Sequence, residues 1–418
     1  MKIAYNIFIH LYGCAIKFSS LFYPKAKLWI EGRKDWEQEL TYLKKVKYPI
    51  VWVHCASLGE FEQARPLLER FNQYENDYFI VLTFFSPSGF EVRKNYPLAN
   101  KVMYLPLDTP SNAKRFVSLI NPSIAIFTKY DIWPNFLNEL KQRKIISLLF
   151  SANFRKNQPY FKWYGHFFRQ NLNCFSKIFI QNETSKQLLG QFNIRSEIAN
   201  DTRFDRVKSI ANEPKSFAAL IKLKNAHKVF VAGSTWPTDE VLLREAWLKL
   251  KQLGYKLIIA PHDVNQERLK HISELFDKKT QLFSETLNAL DIESDVLIID
   301  TIGDLSSIYL YGHIAYVGGG FNVSVHNLLE PAVYGLPVMF GPNHQKSLEA
   351  IALINLGGAF SLVNSFELST LIANLTTEKS DIIKQINLNY INNHLGGTEL
   401  VYNYIKQQLR AQCSLRKR

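Results

Sequence analysis

The chain has 418 residues, 47% of them apolar and 21% charged, and 50 Lys and Arg stand against 37 Asp and Glu. The length suits two domains of about 200 residues, and the composition excludes a disordered chain. The formal excess of 13 positive charges favours an anionic partner, whether nucleic acid, an anionic membrane or a phosphorylated substrate, although solubility alone also accounts for it. Cys14, Cys55, Cys174 and Cys413 are spaced too widely for a metal site or a redox pair, which points to a reducing compartment and to no bound metal.

In chain order, the first element is an apolar and aromatic run from Ile3 to Phe22, interrupted by Asn6, His10 and Lys17. A bilayer span needs about 20 clean apolar residues. The run therefore predicts a helix that anchors to, or lies in, a membrane interface, with packing inside the protein as the alternative. Lys25, Lys27, Arg33 and Lys34 follow, and basic residues just after a hydrophobic segment tend to stay cytoplasmic. Leu11-Tyr12-Gly13-Cys14 is a weak likeness of a lipoprotein processing site, to which Tyr12 is a poor fit.

Short apolar runs then alternate with amphipathic stretches, the pattern of βαβ units and parallel sheets. Strands are predicted near 50–55, 78–83, 102–105, 123–128, 145–150 and 177–181. The polar stretch 200–225, with Pro214, changes character and reads as a linker. A second series follows, with strands near 228–232, 256–260, 296–300, 313–317 and 337–340, and polar basic helical segments close the chain. The expected division is a membrane-associated segment 1–24, a first Rossmann-like domain 25–208, a linker 209–225, a second Rossmann-like domain 226–395, and a helix and basic tail 396–418. Two doubly wound α/β domains in tandem imply a cleft between them, with ligands beyond the carboxyl ends of the strands.

The residues that follow strands are the candidates for chemistry. After 50–55 come Ala56-Ser57-Leu58-Gly59-Glu60. Small residues allow a tight turn and close ligand approach. Glu60 either takes a proton from a substrate hydroxyl or simply complements the dipole of the helix it opens. After 123–128 come Lys129-Tyr130-Asp131-Ile132-Trp133-Pro134-Asn135, charged and aromatic groups suited to an amphipathic acceptor, or a helix start at Pro134 with Trp133 packed beneath. Arg155, Arg203 and Arg206 also follow strand-like segments, and their forks suit carboxylate and phosphate.

In the second half, Gly233-Ser234-Thr235 suits either a phosphate contact or a helix cap, and the loop Asp300-Thr301-Ile302-Gly303-Asp304 could grip a base through its backbone. Val317-Gly318-Gly319-Gly320-Phe321 leads into Ser324-Val325-His326-Asn327-Leu328-Leu329-Glu330-Pro331. Glycines before a helix start suit an anion cradle, but this is neither the dinucleotide fingerprint nor a Walker loop. Glu330, one turn further on, suits the two hydroxyls of a ribose. In the plainer alternative Ser324 caps the helix and the glycines only turn the chain.

Taken in order, these motifs resemble the family of Kdo (3-deoxy-D-manno-octulosonic acid) transferases over nearly the whole chain. The matching runs are Ala56 to Glu60, Ile132-Trp133-Pro134-Asn135, the stretch Asn200 to Val207, Gly233-Ser234-Thr235, and Val317 to Phe321 with His326 to Ala332 and Gly335-Leu336-Pro337-Val338. The resemblance implies a GT-B glycosyltransferase that uses CMP-Kdo as donor and a lipid A precursor as acceptor, inverting and without metal or other cofactor, at the cytoplasmic face of the inner membrane. It implies that Glu60 is the general base. Ser57, Gly59, Lys129, Asp131, Trp133 and Arg155 are the acceptor-side candidates. Ser234, Thr235, Pro261, His262, Thr301, Ile302, Gly303, Gly319, Gly320, His326, Asn327 and Glu330 are the donor-side candidates. Of these, Asn327 and Glu330 would hold the ribose, while Gly319, Gly320 and the helix start near His326 would stabilise the leaving phosphate.

Two departures stand out. Family members often carry two acids before Trp-Pro-Asn, and here Lys129 reverses the sign of the first. An arginine often lies between a proline and a histidine after the second donor-domain strand, and here His262 follows Pro261 directly, leaving Arg268 or Lys346 as substitutes. The alternatives are a GT-B enzyme with another nucleotide sugar and a non-catalytic lipid-binding protein on this fold. The basic residues are dispersed, with no nucleic-acid module, so nucleic acid is not an expected partner.

Overall fold

A computed structural model describes residues 1–74, 78–277, 279–289 and 294–416. The chain divides into two compact units, Met1–Asp205 with Leu395–Arg418, and Arg206–His394. Both are α/β with parallel sheets, as the alternating pattern and the GT-B expectation require.

The first unit carries strands β1 (Ile50–Cys55), β2 (Phe79–Phe84), β3 (Lys101–Tyr104), β4 (Ile124–Thr128), β5 (Ile146–Ala152), β6 (Lys177–Ile180) and β7 (Glu197–Ile198), in the order β3-β2-β1-β4-β5-β6-β7. β1 reads Ile-Val-Trp-Val-His-Cys and is buried along its whole length, as a strand covered on both faces must be. Trp52 faces one apolar layer with Phe116, Phe127 and Phe136. Val51 and Val53 face the other, with Phe61, Leu67 and Phe71. β1 lies between β2 and β4, so the winding reverses at its carboxyl end. Doubly wound sheets open a ligand crevice at such a point.

The second unit carries β8 (Lys228–Thr235), β9 (Tyr255–Pro261), β10 (Thr280–Leu282), β11 (Val296–Ile298), β12 (Ile314–Val317), β13 (Val338–Phe340) and β14 (Ala359–Ser361), ordered β10-β11-β9-β8-β12-β13-β14. Here the reversal falls between β8 and β12.

One expectation needs correction, and two features go beyond the sequence reading. The stretch 209–225 is largely helical, within Arg203–Asn212 and Ala218–Ala226. Its polar surface disguises Leu220 and Leu223, which are buried in the second core. The closing helix Gly397–Arg416 belongs to the first unit. Its Val401, Tyr402, Ile405 and Leu409 complete the apolar layer on Val51 and Val53, and Asp205 accepts the amides of Gly396 and Thr398 at its start, each at 2.6 Å. Lys417 and Arg418 lie outside the described residues. Finally, β7, β10 and β14 have no counterpart in the sequence reading.

The N-terminal run forms the helix Lys2–Ser19. One side packs on the first unit through Tyr5, Asn6 and buried Ile9, while Ile3, Ile7, Phe8, Leu11 and Phe18 remain exposed, followed by Leu21, Phe22 and Tyr23. Among the described residues no helix is long and apolar enough to cross a membrane. Arg33, one of the basic residues that follow the apolar run, turns inward. Its guanidinium donates to the carbonyls of Leu105, Trp29 and Phe85 at 2.6–3.0 Å and lies 3.7 Å from the centre of the Trp29 ring.

Candidate active site and donor site

At the exit of β1 the chain turns through Ala56 and Ser57 into the helix Leu58–Tyr74, which places Glu60 in its first turn. The Ser57 hydroxyl donates to the Glu60 carboxylate. The Lys129 ammonium, from the exit of the neighbouring β4, lies 3.8 Å from Glu60. Lys129 adopts a left-handed backbone, φ +57°. The residue whose sign departs from the family pattern thus faces the candidate base. Glu60 keeps about a fifth of its side chain exposed, 19%, so a substrate hydroxyl can reach it. A Cβ added at the exposed Gly59 would meet only ordinary contact, 3.7 Å from the Ser57 hydroxyl. Packing within the unit therefore does not require glycine there.

Asp131 is not placed to meet an acceptor directly. It is buried, and its Oδ2 accepts the Ala56 amide at 2.8 Å and the Thr128 hydroxyl at 3.2 Å. Burial, and next the nearby charge of Glu60, push its carboxyl well above the usual range. It is a positioning residue that ties the β1 turn to the β4 loop. Trp133 donates its indole N–H to His54 Nε2 at 3.0 Å. His54 Nδ1 lies 2.8 Å from the Thr83 hydroxyl, so the neutral ring carries its proton on Nδ1 and donates it there. Burial lowers the His54 pKa to about 3. Arg155 is exposed, and its charge acts on Tyr130, whose phenol is raised first by burial and further by Glu60, against the opposing pull of Arg155.

The Trp-Pro-Asn motif has a second structural use. Pro134 opens the helix Pro134–Gln142. Buried Asp108 accepts the Asn135 and Phe136 amides at 3.1 and 3.0 Å. It also accepts the Tyr5 hydroxyl at 2.7 Å. The Asn135 side-chain amide donates to Asn6 Oδ1 at 2.9 Å and to the Asp108 carbonyl at 2.6 Å. One hydrogen-bonded cluster therefore fixes both the β4 loop and the N-terminal helix. Burial raises Asp108 to about 6.

In the second unit, Ser234 follows Gly233 with φ +53°, and Thr235 is buried and donates its hydroxyl to Glu240 at 2.9 Å. Glu240, also buried, pairs with Arg268. Burial raises its carboxyl to about 7, with Arg268 opposing. Arg268 is thereby held by the fold, which counts against its substituting as a phosphate ligand. Asp239, buried as well, accepts the Trp236 amide at 2.9 Å, the Gly319 amide at 3.0 Å and the Tyr316 hydroxyl at 2.7 Å.

The anion-cradle reading of the glycine run is corrected on two counts. The Gly319 amide is taken by Asp239, and the helix begins at Leu329, not near His326. The glycines serve close packing between strand exits. A Cβ on Gly318 would come within 2.2 Å of the Ser234 carbonyl, and one on Gly320 within 2.6 Å of Gly341, while Gly319 has φ +92°. What reaches the crevice is a set of rings. Trp236 donates its indole N–H to His326 Nε2 at 2.9 Å. The exposed His262 ring stacks over Trp236 and His326 at 4.7 and 4.5 Å between centroids. The His262 amide donates to the Thr235 carbonyl at 2.9 Å, across the exit where β9 ends at Pro261. Burial, helped by His262, lowers His326 to about 4, so the ring is neutral with its proton on Nδ1.

Nearby, the Asn327 side-chain amide donates to Glu330 at 3.1 Å, and Asn327 Oδ1 accepts the Leu329 amide at 3.2 Å. Thr301 donates to Asp304 at 2.6 Å, and Ile302 and Gly303 stand exposed beyond β11. The structure thus gathers Ser57, Glu60, Lys129, Asp131 and Trp133 in one unit. In the other it gathers Ser234, Thr235, Pro261, His262, Gly319, Gly320 and His326, with Asn327 and Glu330 beside them. The sequence reading gave no role to Asp108, Trp236, Asp239 or Glu240. Among the described residues no three His, Cys, Asp or Glu side chains cluster as metal ligands.

A sequence model of the 3-deoxy-D-manno-octulosonic-acid transferase (kdotransferase) family matches residues 34–206. The 3-deoxy-D-manno-octulosonic acid transferase of Chlamydophila psittaci is 30% identical over 75% of this chain and 74% of its own. That of Aquifex aeolicus is 29% identical over 79% of this chain and 87% of its own. In fold, the chain is similar to a UDP-GlcNAc 2-epimerase from Neisseria meningitidis, with a TM-score of 0.59 at 14% identity over 87% of this chain and all of the other. The residues at the exits of β1 and β12 therefore sit in a glycosyltransferase of lipopolysaccharide biosynthesis, and the chain belongs to the Kdo transferase family.

Proposed function

We propose that this transferase moves Kdo from CMP-Kdo to a lipid A precursor, with inversion and without a metal, at the cytoplasmic face of the inner membrane. The observation that carries the mechanism is Glu60, a half-buried carboxylate at the exit of β1, held by the Ser57 hydroxyl and facing Lys129. In a single displacement, the acceptor hydroxyl bonds to the anomeric carbon of Kdo as the bond to the CMP phosphate breaks. Glu60 takes the hydroxyl proton, and both electrons of the broken bond leave with CMP. A positioned base contributes about 10²- to 10⁴-fold.

On the donor side, the neutral His326 offers its Nδ1 proton to the departing phosphate, held in that tautomer by Trp236. Preoriented donors favour charge that develops in the transition state. Asn327 and Glu330, already paired, hold the ribose. The exposed apolar side of Lys2–Ser19, with Lys17, Lys25 and Lys27 beside it, supports seating on an anionic membrane.

The test is transfer of Kdo from CMP-Kdo to a tetraacylated lipid A precursor, with and without EDTA, for the wild type and Glu60→Gln, with the product's anomeric configuration read by NMR. Activity that survives EDTA, inverts the anomeric centre and falls by about 10²-fold or more in the variant is the expected result. Full activity in Glu60→Gln removes the base assignment, and loss on chelation removes metal independence.

A further inference from the structure

A cavity of about 330 Å³ lies in the first unit, between the helices Lys2–Ser19 and Pro24–Glu31 and the loop that follows β3. Trp29, Ile30 and Leu107 give it apolar walls, and His10, Lys17 and Arg33 line it with basic groups. Arg33 is the unusual member. Its three hydrogen bonds go to neutral carbonyls, and among the described residues no carboxylate pairs with it. A cation turned partly out of water without a counter-charge is costly, and the loss of solvent around it depresses this guanidinium to about 9. A ligand that supplied a negative charge there would relieve that cost.

We propose that this cavity is a binding site for an anionic glycerophospholipid of the bilayer, separate from the acceptor. The chain lies against Trp29, Ile30 and Leu107, and the phosphate faces Lys17, His10 and the Arg33 side. Two observations favour a bilayer lipid over the sugar acceptor. One wall of the cavity is the helix Lys2–Ser19, which presents Ile7, Phe8 and Leu11 outward, and exposed Phe22 lies in the turn between it and the second wall, Pro24–Glu31. The ring of Phe85 packs against both Trp29, at 5.6 Å, and Trp133 of the β4 loop, at 4.5 Å, and none of Phe85, Trp133 and Glu60 lines the cavity. Such a lipid would seat the protein by one inserted chain in addition to surface contact.

The test uses the full chain and dihexanoyl phosphatidylglycerol below its micelle concentration, so that no membrane surface is present, with Trp fluorescence and calorimetry as readouts. One saturable site is expected, which prefers phosphatidylglycerol to dihexanoyl phosphatidylcholine by about fivefold or more, the scale of one basic group near an anionic head. Lys17→Glu should remove that preference, and Ile30→Trp should block the site, each with an unchanged thermal midpoint. Equal affinity for the two head groups, or binding untouched by both variants, would overturn the proposal. So would displacement by the lipid A precursor together with a raised acceptor KM in Ile30→Trp, which would assign the cavity to the acceptor. None of these readings depends on whether Glu60 is the base.

Discussion

Each unit places a tryptophan–histidine hydrogen bond at its reversal of winding, but with the partners exchanged. In the first, the histidine is on the strand itself (His54) and the tryptophan is on the neighbouring loop (Trp133), 3.0 Å apart. In the second, the tryptophan follows β8 (Trp236) and the histidine follows β12 (His326), 2.9 Å apart. Both imidazoles are held neutral by burial. The acids around them differ more. Glu60 is partly open, with a hydroxyl and an ammonium as partners, whereas Asp239 is sealed in with three donors. A carboxylate at a strand exit is therefore not by itself a catalytic group. Its exposure and the partners it already has distinguish chemistry from scaffolding.

The largest expected effect breaks the scaffolding side. Asp239→Ala leaves the Trp236 and Gly319 amides and the Tyr316 hydroxyl without their acceptor, at about 1–3 kcal/mol for each buried orphan. Urea unfolding should show the second unit destabilised by several kcal/mol, on the order of the summed orphans, together with a raised KM for CMP-Kdo. Unchanged stability would mean that the three donors find other partners and that Asp239 is not the organising acid.

The next effect is read against pH. His54 has its folded pKa depressed to about 3, below the ordinary 6.5, so its contribution to stability is present above pH 6.5. It is lost as pH falls toward 3, because the unfolded chain binds the proton first. At pH 5 the loss is roughly 2 kcal/mol. His54→Gln should lower the thermal midpoint at pH 7.5 but shrink its further fall between pH 7 and pH 5. An undiminished acid fall would place the sensitivity elsewhere.

The smallest effect sharpens the catalytic side. Lys129→Ala removes a half-exposed ammonium 3.8 Å from Glu60, a pair on the scale of about 0–1 kcal/mol. It should reduce kcat by only a few-fold while leaving the donor KM unchanged. Lys129→Glu should cost more by setting a like charge against Glu60. If the two variants behave alike, the ammonium's charge is not what Lys129 contributes.

The strands legible in the sequence are the ones whose apolar runs are buried on both faces; β1 was read with its observed limits. The short edge strands β7, β10 and β14 were not, because two or three half-buried residues such as Glu197–Ile198 leave no pattern. Glu60 was legible because a strand, a small-residue turn and an acid are consecutive. The His54–Trp133 bond was not, since its partners are 79 residues apart. The glycine run misled for a physical reason. Glycine permits close approach by a ligand and by another backbone alike, and here Ser234 and Gly341 occupy that space.

The shared anchor of the β4 loop and the N-terminal helix bears on how this enzyme is prepared. A chain shortened past residue 24 to escape detergent would strip Tyr5 from Asp108 and Asn6 from Asn135. It would leave a buried carboxylate exposed beside the Trp133 loop. A dead truncation would then report a damaged β4 loop, not a need for lipid contact, and only point changes on the outward face, such as Phe8 or Leu11, can separate the two.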